Sequence, residues 1–144
     1  MVHMVEIGQK KAVSRLARAS GFIRLKEETI RRIEAKDVPK GDVFAVAQTA
    51  AIMAVKRTTE LIPLTHPIPI TGVDVDLKIE DKGIRVEVEV RSTGQTGVEM
   101  EALAGVTGAL LTVWDMVKGL EKDESGQYPN TCIEEIRVLK KVKS

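Results

Sequence analysis

Strict alternation over residues 73–91 constrains the fold of this chain more than any other feature. Val73, Val75, Leu77 and Ile79 alternate with Asp74, Asp76, Lys78 and Glu80. After a turn at Asp81-Lys82-Gly83, Ile84, Val86, Val88 and Val90 alternate with Arg85, Glu87, Glu89 and Arg91. Successive side chains of a strand point to opposite faces, so each stretch is a strand with one dry and one wet face. A short turn joins them into a hairpin. The dry face needs a cover, which the rest of the chain must supply.

Helical patterns supply it. Leu103, Val106, Leu110, Val113, Trp114 and Val117 recur at helical spacing, which predicts a long helix over residues 98–120. Asp42 is placed to cap a second helix running to about residue 61. Val43, Val46, Ala47, Ala50, Ala51, Ala54 and Val55 give that helix a small-residue stripe that lets another backbone approach closely. Pro63, Pro67 and Pro69 then exclude helix, so residues 62–70 are extended and stiff. Ile30 and Ile33 mark a short helix over residues 27–36. Short strands are expected at residues 21–26 and 133–142, the latter with Ile136 and Val138 turned inward. Residues 1–20 carry Lys10, Lys11, Arg15 and Arg18 among small residues and read as a basic, mobile arm. The expected class is α+β: a ferredoxin-like β-α-β-β-α-β sandwich with an extra N-terminal helix and a mostly antiparallel sheet. A chain of 144 residues makes one such domain, residues 21–144, behind the arm.

Composition removes several function classes. The net charge is +1, too small for a general nucleic-acid coat. Neither hairpin strand carries the aromatics that stack on RNA bases. Cys132 is the only cysteine, and His3 and His66 are the only histidines, so neither a cysteine zinc site nor a histidine-rich metal site is expected. No run of 18 apolar residues suggests a membrane span, and the first residues lack the apolar stretch of a secretory signal. A cytoplasmic location is expected.

Five places can carry chemistry, and each has a plainer structural account. His66 sits in Leu64-Thr65-His66-Pro67, where neighbouring prolines would hold an imidazole stiffly enough for proton transfer. A lone histidine is usually structural or solvated. Lys40 precedes a helix start, where it would be a surface lysine or would share a phosphate with the helix N-terminus. Glu99 and Glu101 open the long helix, where acids favour the dipole. Two positions apart, they point to different sides unless the site wraps the helix end. Asp115 and Lys118 are three apart and can pair, as an exposed ion pair or as an acid and a base on one face. Ser92-Thr93-Gly94-Gln95-Thr96-Gly97 could cradle phosphate with backbone N–H groups, or simply connect strand to helix. Glu101 and Asp115 are 14 positions apart, roughly 21 Å along a helix at 1.5 Å per residue. Side chains so placed converge on one small molecule only if it is long or if two subunits meet.

These segments resemble the cyclic pyranopterin monophosphate synthase family, the MoaC proteins of molybdenum cofactor synthesis. The matching stretches are Lys40-Gly41-Asp42-Val43-Phe44, Ala54-Val55-Lys56-Arg57-Thr58, Leu61-Ile62-Pro63-Leu64-Thr65-His66-Pro67, residues 93–103 (TGQTGVEMEAL), and Trp114-Asp115-Met116-Val117-Lys118. The resemblance spans about residues 4–141. It implies a ferredoxin-like fold and a homohexamer built as a trimer of dimers, with sites at the dimer interface. It implies a lyase acting on 3′,8-cyclo-7,8-dihydro-GTP, which yields cyclic pyranopterin monophosphate and pyrophosphate. No redox cofactor is implied, though Mg²⁺ can accompany the triphosphate. By position, the resemblance places catalytic roles on Lys40, Asp115 and Lys118. It places substrate contacts on Leu64, Thr65, His66, Glu99, Met100 and Glu101, and triphosphate contacts on Arg15 and Lys141. Lys140 and Lys143 are neighbours able to replace Lys141. Thr65 stands where cysteine is common in the family, so a thiol is not essential there. The competing class is a non-catalytic nucleotide- or RNA-binding module of the same fold.

Overall fold

The computed structural model describes residues 1–144. The elements are β1 (Val13–Arg24), α1 (Glu27–Glu34), α2 (Val43–Lys56), α3 (Thr58–Leu61), β2 (Ile70–Glu80), β3 (Gly83–Gly94), α4 (Glu99–Glu121) and β4 (Cys132–Lys143). The four strands form one antiparallel sheet in the order β2-β3-β1-β4. This is the ferredoxin-like arrangement, with α1 as the extra early helix.

The hairpin forms as its alternation predicts. Val75 lies opposite Val88, and Asp76 opposite Glu87. Ile84, Val86, Val88 and Val90 are fully buried, under α4 and α2. The other face carries a charge ladder. The Arg18 guanidinium donates to Glu89 at 2.7 Å, and Arg91 bridges Glu89 and Asp74 at 2.6 Å each. Arg85 lies 4.8 Å above the Phe22 ring.

Close approach of backbones sets the helical layer. At Gly105 of α4, an added Cβ would sit 2.9 Å from a Val55 methyl, 3.0 Å from a Val88 methyl and 3.4 Å from the Ala51 carbonyl oxygen. At Gly108 it would meet the Ala54 Cβ at 2.9 Å and the Ala50 carbonyl oxygen at 3.4 Å. The small-residue stripe expected on α2 is therefore one half of a tight seam, and the α4 glycines are the other. Gly21 of β1 answers α4 in the same way, against Val106 and Leu110. By length and apolarity α4 could cross a membrane, but more than half of its apolar window is buried inside this fold. Its apolar residues are core residues. The single tryptophan, Trp114, packs edge-on against Tyr128 of the loop that follows α4, with ring centroids 5.2 Å apart.

Three expectations need correction. Strand β1 begins at Val13, not at residue 21, and pairs with both β3 and β4 through Arg15 and Leu16. Thus residues 13–20 belong to the sheet, and only residues 1–12 precede it. Their charges misled the reading: Ala17 and Ala19 take the dry face, Arg18 the wet face beside Glu89, and Arg15 bonds the Gly94 carbonyl near the sheet end. Second, the helix expected to run to residue 61 breaks at Arg57 into α2 and α3. The Thr58 hydroxyl donates to the Ala54 and Val55 carbonyls there, which satisfies groups at the helix end. Third, Ile136 and Val138 take the inward side, Val138 opposite the buried Ala19 and Ile136 near Gly21, but they are not buried there: they are 41% and 38% exposed. Strand β4 is a sheet edge whose pairing with β1 slips in register twice, and Glu135 adopts φ 58°. At this edge the helical cover is incomplete, and Ile136, Val138, Leu139 and Val142 stay partly open.

The seam makes a direct demand on volume. Gly105→Leu has no space to enter between Val55 and Val88, and overpacking of this kind costs about 1–3 kcal/mol or more. Urea unfolding should show the midpoint falling by that cost divided by the slope, while the slope itself stays near that of the parent chain.

Candidate active site

Two polar clusters lie at opposite ends of α4. The first is centred on Asp115. Lys40 precedes Gly41, whose φ of 112° suits glycine, and the chain then enters α2 behind the Asp42 cap, which accepts from the Ala45 N–H at 3.1 Å. That turn carries Lys40 toward α4. Its Nζ donates to Asp115 Oδ2 at 3.0 Å and to the Asp115 backbone carbonyl at 3.2 Å. Lys118 Nζ lies 3.1 Å from Asp115 Oδ1, one helical turn along. One carboxylate thus holds two cations, one from each side. Hydrogen bonds from Lys40 and then Lys118 hold the Asp115 carboxyl below the ordinary carboxylate range. All three side chains are about half exposed. Lys40 is therefore tied to α4 rather than free to face a phosphate at the N-terminus of α2.

The second cluster lines a cleft of about 290 Å³ where α4 begins. Leu64, Thr65, His66, Glu99, Met100 and Glu101 all border it, with Thr96 and Gly97. The proline-stiffened segment delivers His66, and Thr65 secures the turn by donating its hydroxyl to the Ile62 carbonyl at 2.8 Å. Glu99 is the first residue of α4. The cleft wraps the helix end, so two carboxylates two positions apart serve one space. Their environments differ. Glu101 is only 4% exposed, and burial, with a smaller push from the Glu99 charge, raises its carboxyl above the ordinary range. Glu99 is partly exposed and has Lys141 Nζ at 3.8 Å. Arg15 lies at the same end, donating its Nε to the Gly94 carbonyl at 3.0 Å. The cradle expected over residues 92–97 is shorter than its sequence suggests, because β3 continues to Gly94.

The sequence reading missed Lys10 as a site residue. Lys10 borders the cleft beside Val5 and Ile7. Charge alone placed it in a solvated arm, and only folding of residues 1–12 across the cleft brings it there. No group of three or more His, Cys, Asp or Glu side chains gathers in a way that could hold a metal ion.

Carboxylates and an imidazole at one end of a helix, with two lysines and an aspartate at the other, on a ferredoxin-like sheet, define a protein equipped to grip and protonate a charged small molecule. Comparison with known proteins gives that class a family. The MoaC family model matches residues 4–144. A probable cyclic pyranopterin monophosphate synthase of Thermococcus kodakarensis is 61% identical over 142 residues, which cover 99% of this chain and 91% of that protein. A protein of the same name from Archaeoglobus fulgidus is 60% identical over the same coverage. A Methanothermobacter thermautotrophicus relative, named as a probable cyclic pyranopterin monophosphate synthase accessory protein, is 58% identical, over 99% of this chain and 89% of that protein. The chain belongs to the MoaC family.

The buried Glu101 carboxyl sets a pH dependence. Its pKa is raised on folding, so it favours the folded state at low pH and that contribution is lost as pH rises through the raised value. Glu101→Gln removes the ionisable group while keeping its shape. Thermal unfolding from pH 4 to pH 8 should therefore show the variant gaining on the parent as pH rises, with no gain at the acid end.

Proposed function

We propose that this chain is a lyase of molybdenum cofactor biosynthesis that converts 3′,8-cyclo-7,8-dihydro-GTP into cyclic pyranopterin monophosphate and pyrophosphate, in the cytoplasm. The observation that carries this reading is the Lys40–Asp115–Lys118 cluster, standing opposite the carboxylate cleft on one helix. The reaction opens a purine, rebuilds it as a pterin and closes a cyclic phosphate. It moves several protons without net redox change. Closing the cyclic phosphate joins a ribose oxygen to the first phosphorus and breaks that phosphorus's bond to the oxygen of the next, releasing pyrophosphate. The hydroxyl proton must leave, and the purine nitrogens must gain and lose protons.

Lys40, Lys118 and Asp115 are suited to these transfers. Two Nζ groups anchored on one carboxylate are fixed in place before substrate arrives, and fixed donors need little reorganisation. Glu99 and Glu101 accept N–H donors of the guanine-derived ring, and His66 stands beside them. Leu64, Thr65 and Met100 complete the wall. Arg15, Lys141 and Lys10 supply positive charge for the triphosphate. Any Mg²⁺ travels with the phosphates of the substrate; the chain itself brings no cofactor.

The two clusters serve one substrate molecule only if protomers combine. Along α4, Glu101 and Asp115 stand roughly 21 Å apart at 1.5 Å per residue. A two-fold dimer that sets the start of one α4 beside the end of another builds two whole sites from four halves. The open apolar row on β4 supports further assembly, since exposed edges of this kind are commonly covered. A homohexamer made as a trimer of dimers is the assembly we propose, since it would meet both needs.

Two experiments test this. Assay of pterin and pyrophosphate should show turnover by the parent chain and a fall of about 10²–10⁴-fold in kcat for Lys118→Ala. A protein that binds the nucleotide without making pterin would instead be a non-catalytic module. Mixing unfolded His66→Ala and Lys118→Ala chains in equal amounts and refolding them together should recover about a quarter of parental activity, because one dimer site in four then carries neither change. No recovery would mean that each site is contained in a single chain.

A further inference from the structure

Residues 1–12 reach the cleft without belonging to the sheet or to any helix. Val5, Ile7 and Lys10 nevertheless form one of its walls. Within this segment, the Lys10 N–H donates to the Ile7 carbonyl at 3.0 Å and the Gly8 N–H to Glu6 Oε2 at 2.8 Å. Those bonds shape a local turn and attach it to nothing else. The attachment is made by Gln95. Its Nε2 donates to the Lys10 carbonyl at 3.1 Å and to the Gly8 carbonyl at 3.4 Å. These are the only hydrogen bonds that join residues 1–12 to the rest of the chain, and no ion pair adds to them.

Gln95 is well placed to do this. It follows Gly94, the last residue of β3, and precedes Thr96 and Gly97, which border the same cleft. It is half-buried. A neutral amide donates to two carbonyls without bringing a charge next to Glu99 and Glu101.

We propose that Gln95 is a positioning residue, a clasp that holds residues 5–10 across the cleft and so fixes Lys10 beside the bound anion. The clasp touches no reacting atom; it acts through Lys10 and through closure of the cleft. It rests on the reading of the cleft as a nucleotide site. A released segment would leave the Asp115 cluster as it is, so the loss should fall on substrate capture more than on chemistry.

Two readouts on the full-length chain test the clasp. Trypsin cuts after Lys10 and Lys11, and its rate there reports how often the segment is free. Gln95→Ala should be cut about tenfold faster than the parent, the expected effect of losing two modest hydrogen bonds. Its KM should rise by about the same factor, while kcat changes less than about threefold. Gln95→Asn keeps a neutral amide donor, one methylene shorter and with no new trypsin site, and should restore much of both. Parental cutting rate and KM in Gln95→Ala would overturn the proposal, and so would faster cutting with an unchanged KM. Should the parent chain turn over no substrate, the proposed reaction fails, and the cutting rates still decide whether Gln95 clasps the segment.

Discussion

The contact between α2 and α4 through Gly105 and Gly108 governs much of the molecule. It brings the two helices near enough to share one layer over the sheet. That layer places the start of α2 beside the last turns of α4, and so makes the bond between Lys40 and Asp115 possible. Lys40 and Asp115 are 75 residues apart in sequence. Only a close, fixed crossing can hold their side chains at 3.0 Å. Bulkier seam residues would separate the helices and with them the two halves of the cluster.

Helix α4 also acts as a ruler. A single stiff element carries Glu99 and Glu101 at one end and Asp115 and Lys118 at the other. Its two ends are electrically different. One holds a buried carboxyl with a raised pKa, the other an exposed carboxyl with a lowered one. Environments that separate two carboxyl pKa values suit different proton-handling roles at pH 7. Burial produces the first, and ion pairing produces the second.

Much of this was legible in the sequence, for physical reasons. The hairpin announced itself through period-two alternation, and α4 through a long apolar face. The Asp42 cap and the stiffness of the Pro-rich segment followed from local chemistry. The distance along α4 was simple arithmetic. What escaped was set by tertiary context. Small residues and arginines over residues 13–20 hid a strand, because alanine facing a helix looks much like alanine in a coil. Ile136 and Val138 carry an inward pattern, yet incomplete helical cover at the sheet edge leaves them partly open. Lys10 and Gln95 lie 85 positions apart. No local signal links them, since only the completed sheet brings the β3–α4 junction to the N-terminal segment.

The lone tryptophan has a practical meaning. Trp114 immediately precedes Asp115 and rests edge-on against Tyr128, the only tyrosine, on the loop beyond α4. With just two phenylalanines elsewhere, almost all near-ultraviolet absorption and emission comes from this one pair. The molecule thus carries its own optical probe at the lysine-rich end of the helix, while the cleft end is spectroscopically dark. Within one protomer the emitted light describes the lysine end alone, and any response to the carboxylate cleft must come from a neighbouring copy.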